Sequence, residues 1–156
     1  MLPEGSPAPP IELTDLNDDS WNLHGALKRG PVVLAFFKIS CPTCQLTFPF
    51  LQRIADSGSP AAPQLVAISQ DDAPSSRQFQ VRFGLSMPTL IDTARTFPAS
   101  NAYQITSVPS LFVVEVDGTI SSATEGFNKA ALVNLGERFG VVPFHESDSV
   151  PALRPG

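Results

Sequence analysis

The chain has two cysteines, and they stand three residues apart in Cys41-Pro42-Thr43-Cys44. Thiols at that spacing suit one chemistry. One attacks a disulfide as its thiolate, and the other displaces it by closing a small intramolecular disulfide. The neighbouring sequence says where the pair must sit. Val32 to Phe37 is an unbroken apolar run of β-branched and aromatic residues, which predicts a strand buried on both faces. Leu46, Phe50 and Ile54 then recur at helical spacing, with Ser40 expected as the N-cap. The dithiol therefore falls where a central strand hands over to the opening turn of a helix. That turn presents unpaired N–H groups and the positive end of the peptide dipoles, both favourable to a thiolate. Pro42 fits there because the first N–H of a helix has no helical partner to lose.

The elements that must hold this junction follow in order. Ile11–Leu16 and Ser20–Leu23 flank the turn-like Asn17-Asp18-Asp19 and predict a short hairpin anchored by Trp21. Residues 25–30 suggest a helical turn leading into the Val32 strand. The first long helix is expected over Pro42–Ala55, kinked by the internal Pro49 and stopped by Ser57-Gly58-Ser59-Pro60. A second buried strand at Gln64–Ser69 and a helix at Ala73–Phe83, closed by Gly84, come next. Pro88–Asp92 reads as a short strand, and Ala94–Tyr103 as a helix or irregular insert interrupted at Pro98. Ser110–Val116 and Thr119–Thr124 form the clearest hairpin, turning at Asp117-Gly118. Asn128 caps a closing helix over Lys129–Phe139, ended by Gly140. This order predicts parallel strands in the first half and an antiparallel edge in the second.

Composition narrows the functional classes. A chain of 156 residues with 42% hydrophobic and 16% charged residues fits one globular domain with a sizeable core. Its net charge of −5 gives no basic footprint for nucleic acid. No apolar run approaches the roughly 18 to 20 residues that span a bilayer. No basic, apolar leader opens the chain as written, so the expected location is cytoplasmic, or periplasmic if a leader has been removed. A structural zinc site needs four ligands, and His24 and His145 lie far in sequence from the cysteines, so no metal is expected. A purely structural disulfide is disfavoured because so small a ring constrains little chain entropy.

With the dithiol, the strand order and Val108-Pro109 in place, the chain resembles the thioredoxin superfamily. Within it the likeness is to the TlpA/ResA-type, AhpC/TSA-labelled redoxin branch, over about residues 5 to 140. Cys41-Pro42-Thr43-Cys44 lies at the strand-to-helix junction, and Pro49 follows the second cysteine by five residues. Val108-Pro109 precedes the third core strand, where the family carries a cis-proline, and Gly126 follows the fourth. The resemblance implies an α/β thioredoxin fold: a central mixed sheet flanked by helices, with an N-terminal β-hairpin and an insert before the third core strand. It implies Cys41 as exposed nucleophile and Cys44 as buried resolving thiol. Pro109 would be cis and packed on the disulfide, with the Val108 backbone pairing to an extended substrate segment. Pro42 and Thr43, between the cysteines, would contact substrate and tune the potential. The pattern is not copied whole. Ser40 stands where the family has tryptophan, Ala35 where thioredoxins bury an aspartate, and Thr47 where the TlpA-like branch often has glutamate. Asp71 and Asp72 follow the second strand, where some relatives place an acid near the dithiol; a solvated loop is the plainer reading.

The expected activity is thiol–disulfide exchange with protein substrates, fed by a thiol electron donor, with no cofactor and a monomeric chain. Two alternatives are a thiol peroxidase and a non-catalytic binding module. Peroxiredoxins place threonine or serine three residues before the peroxidatic cysteine and proline seven before it. For Cys41 those positions are Lys38 and Leu34, and for Cys44 they are Cys41 and Phe37, so the peroxide-activating residues are missing. An intact Cys-Pro-Thr-Cys argues against the binding module. Residues 1–142 are expected to form the thioredoxin-like domain. Residues 143–156, with three prolines and no periodicity, are expected to form a flexible tail.

Overall fold

The computed structural model describes residues 1–92 and 95–156. A hairpin of β1 (Glu12–Asp15) and β2 (Ser20–Asn22) leads through α1 (Leu23–Leu27) to β3 (Val32–Phe37) and α2 (Pro42–Ala55). Then come β4 (Gln64–Ser69), α3 (Ala73–Phe83), β5 (Thr89–Ile91) and α4 (Pro98–Ala102). The second half holds β6 (Ser110–Val114), β7 (Ile120–Glu125), β8 (Phe127–Asn128), α5 (Lys129–Phe139) and β9 (Leu153–Arg154). Seven strands form one mixed sheet in the order β2-β1-β5-β4-β3-β6-β7. β3 runs parallel to β4 and antiparallel to β6, and β4 runs parallel to β5. The expected switch from parallel to antiparallel pairing therefore occurs at β3 itself.

Burial explains why β3 reads as a continuous apolar run. Its alternate residues face opposite layers. Val33, Ala35 and Phe37 join Cys44, Phe48, Leu51 and Phe79 in one core, while Val32, Leu34 and Phe36 join Ile11, Tyr103 and Phe112 in the other. The first core is aromatic directly beneath α2: the Phe37 ring lies 4.6 Å from Phe48 and 4.8 Å from Phe79, centroid to centroid. That layer seats the helix carrying the dithiol.

Several expectations need correction. Cys41, not Ser40, is the N-cap of α2, because Pro42 takes the first helical position. Trp21 is half-buried, pairs with Leu13 across the hairpin and packs against the second core, while Ile11 and Leu23 are the more deeply buried residues at the hairpin's ends. Pro98 does not interrupt a helix but opens α4, whose first turn donates Ala99 and Ser100 N–H to the buried Asp92 carboxylate. Ala94, the expected start of that segment, lies outside the described residues. α2 has the expected bounds, Pro42–Ala55, with Pro49 inside it. Residues 143–156, expected to form a flexible tail, make contacts with the body of the fold. Phe144 packs against Phe50 at 4.6 Å, Asp148 pairs with Arg53 at 2.7 Å, and β9 pairs antiparallel with β8. These are single side-chain and backbone contacts, invisible to any periodicity. Among the described residues no helix is long and apolar enough to cross a membrane.

Phe48 is fully enclosed under α2, so Phe48→Ala should cost about 3–5 kcal/mol through lost transfer energy and a residual cavity. A urea titration reads this as a lower midpoint at unchanged slope. A loss below about 1 kcal/mol would mean that α2 is not seated on this aromatic layer.

Candidate functional site

The site is built from the helix cap outward. Cys41 has extended backbone, φ −83° and ψ 113°, and its Sγ accepts the Cys44 N–H at 3.1 Å. A side-chain oxygen normally fills this role at a helix start; here a sulfur does. The same Sγ donates to the Val108 carbonyl at 3.3 Å. The Val108–Pro109 peptide is cis, and Gly126 N–H holds the Pro109 carbonyl at 2.8 Å. The structure thus brings Cys41, Pro42, Thr43, Cys44, Val108 and Pro109 to one place. Cys41 is partly exposed and Pro42 exposed, whereas Cys44 has no exposed surface. Both thiols are free.

The loop between β3 and α2 is pinned from two sides. Ile39 N–H donates to Asp71 Oδ2 at 2.7 Å, and Gln45 Nε2 donates to the Ile39 carbonyl at 2.9 Å. The two aspartates after β4 are therefore not equivalent. Asp71 faces the dithiol loop, while exposed Asp72 caps α3 by accepting Ser75 N–H at 2.8 Å. Hydrogen bonds from Ser75 hold the Asp72 carboxyl below its ordinary range. Burial pushes the Cys44 thiol far above its ordinary value near 9, and the hydrogen bond with Cys41 and the nearby Asp71 charge add to this. Thr47, in the position where glutamate was a family option, instead bonds its own helix, Oγ1 to the Thr43 carbonyl at 2.7 Å. Among the described residues no cluster of His, Cys, Asp and Glu could hold a metal.

One contact was not foreseen. Thr43 is almost wholly buried because its Oγ1 donates to the Pro155 carbonyl at 2.7 Å. The segment expected to form a flexible tail reaches the site. Gly126, noted in the sequence only for its position after a strand, was the available signal. A methyl group there would strike the Arg154 carbonyl.

Comparison with known proteins agrees with this architecture. The AhpC/TSA family profile matches residues 5–123, and the chain belongs to that family. It is similar to the thiol-disulfide oxidoreductase ResA of Geobacillus kaustophilus, 28% identical over 78% of this chain and 69% of that protein. ResA of Geobacillus thermodenitrificans is 26% identical over the same shares. Among solved structures, the thioredoxin domain of a thiol-disulfide oxidoreductase from Bacteroides vulgatus superposes with a TM-score of 0.76. It is 20% identical, covering 89% of this chain and 99% of that one. A peroxidoxin of Mycobacterium tuberculosis, BcpB, superposes at 0.73 with 20% identity, over 90% and 97% of the two chains. The fold is that of thioredoxin, with the expected N-terminal hairpin and insert.

The Cys44 shift has a measurable consequence. Below about pH 9 both folded and unfolded chains keep the Cys44 proton; above it only the folded chain does. The unfolded state then binds fewer protons, so stability falls as pH rises. The stability of the native sequence should therefore drop more steeply between pH 8.5 and 10.5 than that of Cys44→Ala, measured by urea titration at each pH. Parallel curves would show that Cys44 is not held as a thiol by its surroundings.

Proposed function

We propose that the chain exchanges disulfides with protein substrates through Cys41 and Cys44. The observation that carries this is the asymmetry of the pair. Cys41 is half-exposed, with its Sγ between the Cys44 N–H and the Val108 carbonyl, and Cys44 lies fully enclosed behind it. In the reducing direction the Cys41 thiolate attacks one sulfur of a substrate disulfide. The substrate S–S bond breaks, a Cys41–substrate S–S bond forms, and the departing sulfur takes up a proton. Cys44 then loses its proton and attacks Cys41 Sγ. The second substrate sulfur leaves as a thiolate and is protonated, and the chain holds a Cys41–Cys44 disulfide. Two electrons have passed from dithiol to substrate, and a second thiol protein returns them. Val108 and Pro109 line the approach to Cys41, and Pro42 and Thr43 form its other rim.

The peroxidase alternative finds no support at the thiols: the residue three before Cys41 is Lys38, an exposed residue with no hydroxyl. The test uses a protein disulfide such as insulin with dithiothreitol as donor, and hydrogen peroxide in parallel. Cys41→Ser should reduce turnover to the uncatalysed background, and Cys44→Ser should accumulate a mixed disulfide visible by mass. Peroxide consumption that outruns disulfide exchange, or exchange unaffected by Cys41→Ser, would overturn the reading.

A further inference from the structure

The path of residues 143–156 has two parts with different chemistry. The first is an anchor made by side chains. Phe144 stacks on Phe50 and meets Phe127, Arg53 Nη1 donates to the Pro143 carbonyl and to Asp148, and His145 N–H donates to Asp148. The second part, residues 151–156, has every residue exposed and docks through its backbone. Lys129 N–H donates to the Ala152 carbonyl, Leu153 and Arg154 pair with Asn128 and Phe127, and Thr43 Oγ1 donates to the Pro155 carbonyl. Gly156 then lies so close to Val108 that a methyl group on it would collide with the Val108 carbonyl, the group that accepts from Cys41 Sγ.

This is the manner in which an extended peptide from another protein would be held: main chain to main chain, side chains outward. We propose that residues 151–156 are a built-in occupant of the peptide-binding strip beside Cys41, kept at hand by the Phe144 and Asp148 anchor, and that a protein substrate must displace them. The proposal rests on the thiol–disulfide reading of the site. Displacement is within reach because the occupant uses the strip incompletely. Among the described residues Val108 N–H has no acceptor, so an incoming strand that pairs with it gains a bond the tail does not make. Gly126 is part of the same device, since any side chain there would close the track along which Arg154 passes.

The test uses the full chain with Asp148→Ala, which removes the anchor's carboxylate, combined with Gly156→Val, which puts a side chain where the Val108 carbonyl stands. Neither position is in the core, so melting curves should stay close to those of the native sequence. Labelling of Cys41 by a polyethylene-glycol maleimide should speed up about fivefold or more, the change that a loss of roughly 1 kcal/mol of docking gives. Insulin reduction should speed up comparably, while a small disulfide such as hydroxyethyl disulfide should gain much less. Unchanged labelling would overturn the proposal. So would faster labelling with unchanged insulin reduction, because substrate and tail would then not compete. If no variant, Cys41→Ser included, alters exchange, the thiol–disulfide reading fails, and labelling still reports whether the tail covers the thiol.

Discussion

The hydrogen bond from Cys44 N–H to Cys41 Sγ sets the terms for the rest of the site. It exists only if α2 starts at Cys41, which requires a first helical residue that can do without its N–H. Pro42 meets that condition. It also requires β3 to end at Phe37 and the chain to turn within Lys38–Ser40, a turn closed by Cys41 N–H on the Lys38 carbonyl and braced by Asp71 on Ile39 N–H. The same sulfur must reach the Val108 carbonyl, and this ties the helix start to the loop before β6. Strand, helix and cis-proline loop thus converge on one atom. A shift of about an ångström in any of them would break a contact of a little over 3 Å.

The two thiols differ through burial more than through charge. β3 is covered on both faces, and Cys44 belongs to the core packed on its Val33, Ala35 and Phe37 face. Ala35 is the point where thioredoxins bury an aspartate, and here it contributes only a methyl group to that core. With Thr47 bonded within its own helix, the carboxylate whose field reaches Cys44 is Asp71. The departures from the family pattern therefore leave the cradle of Cys41 intact, since that cradle is backbone N–H and carbonyl. They change instead the polarity around the thiol behind it.

This division also explains what the sequence could reveal. β3, α2, β4, α3 and α5 were legible to within a residue, because each carries its own period, cap or terminal glycine. The dithiol was legible because two cysteines in one turn have few structural uses. Ser40 was misassigned as the cap because a sulfur is not an expected capping atom, although Pro42 already marked the first helical position. The insert around Pro98 was ambiguous because its stabilising partner, Asp92, lies outside the helix it serves. The last segment was unreadable for a plainer reason. Its docking uses carbonyl groups that every sequence has, and its few informative side chains, Phe144 and Asp148, stand alone among prolines and small polar residues.

Burial that suppresses Cys44 raises the question of how it can act at all in the proposed cycle. The answer lies in which causes persist. Desolvation is permanent, but the hydrogen bond with Cys41 and the repulsion from its charge last only while Cys41 is a free thiol or thiolate. Once Cys41 is joined to a substrate sulfur, its charge is gone and its sulfur becomes the electrophile. Two of the contributions that held the Cys44 proton are then removed by the first step itself, and the pull of the Lys38 backbone, which favours the thiolate, remains. In the proposed cycle the same geometry therefore holds the Cys44 proton until Cys41 is joined to substrate, and places Cys44 behind the mixed disulfide it would attack. The order in which the two thiols act follows from their positions.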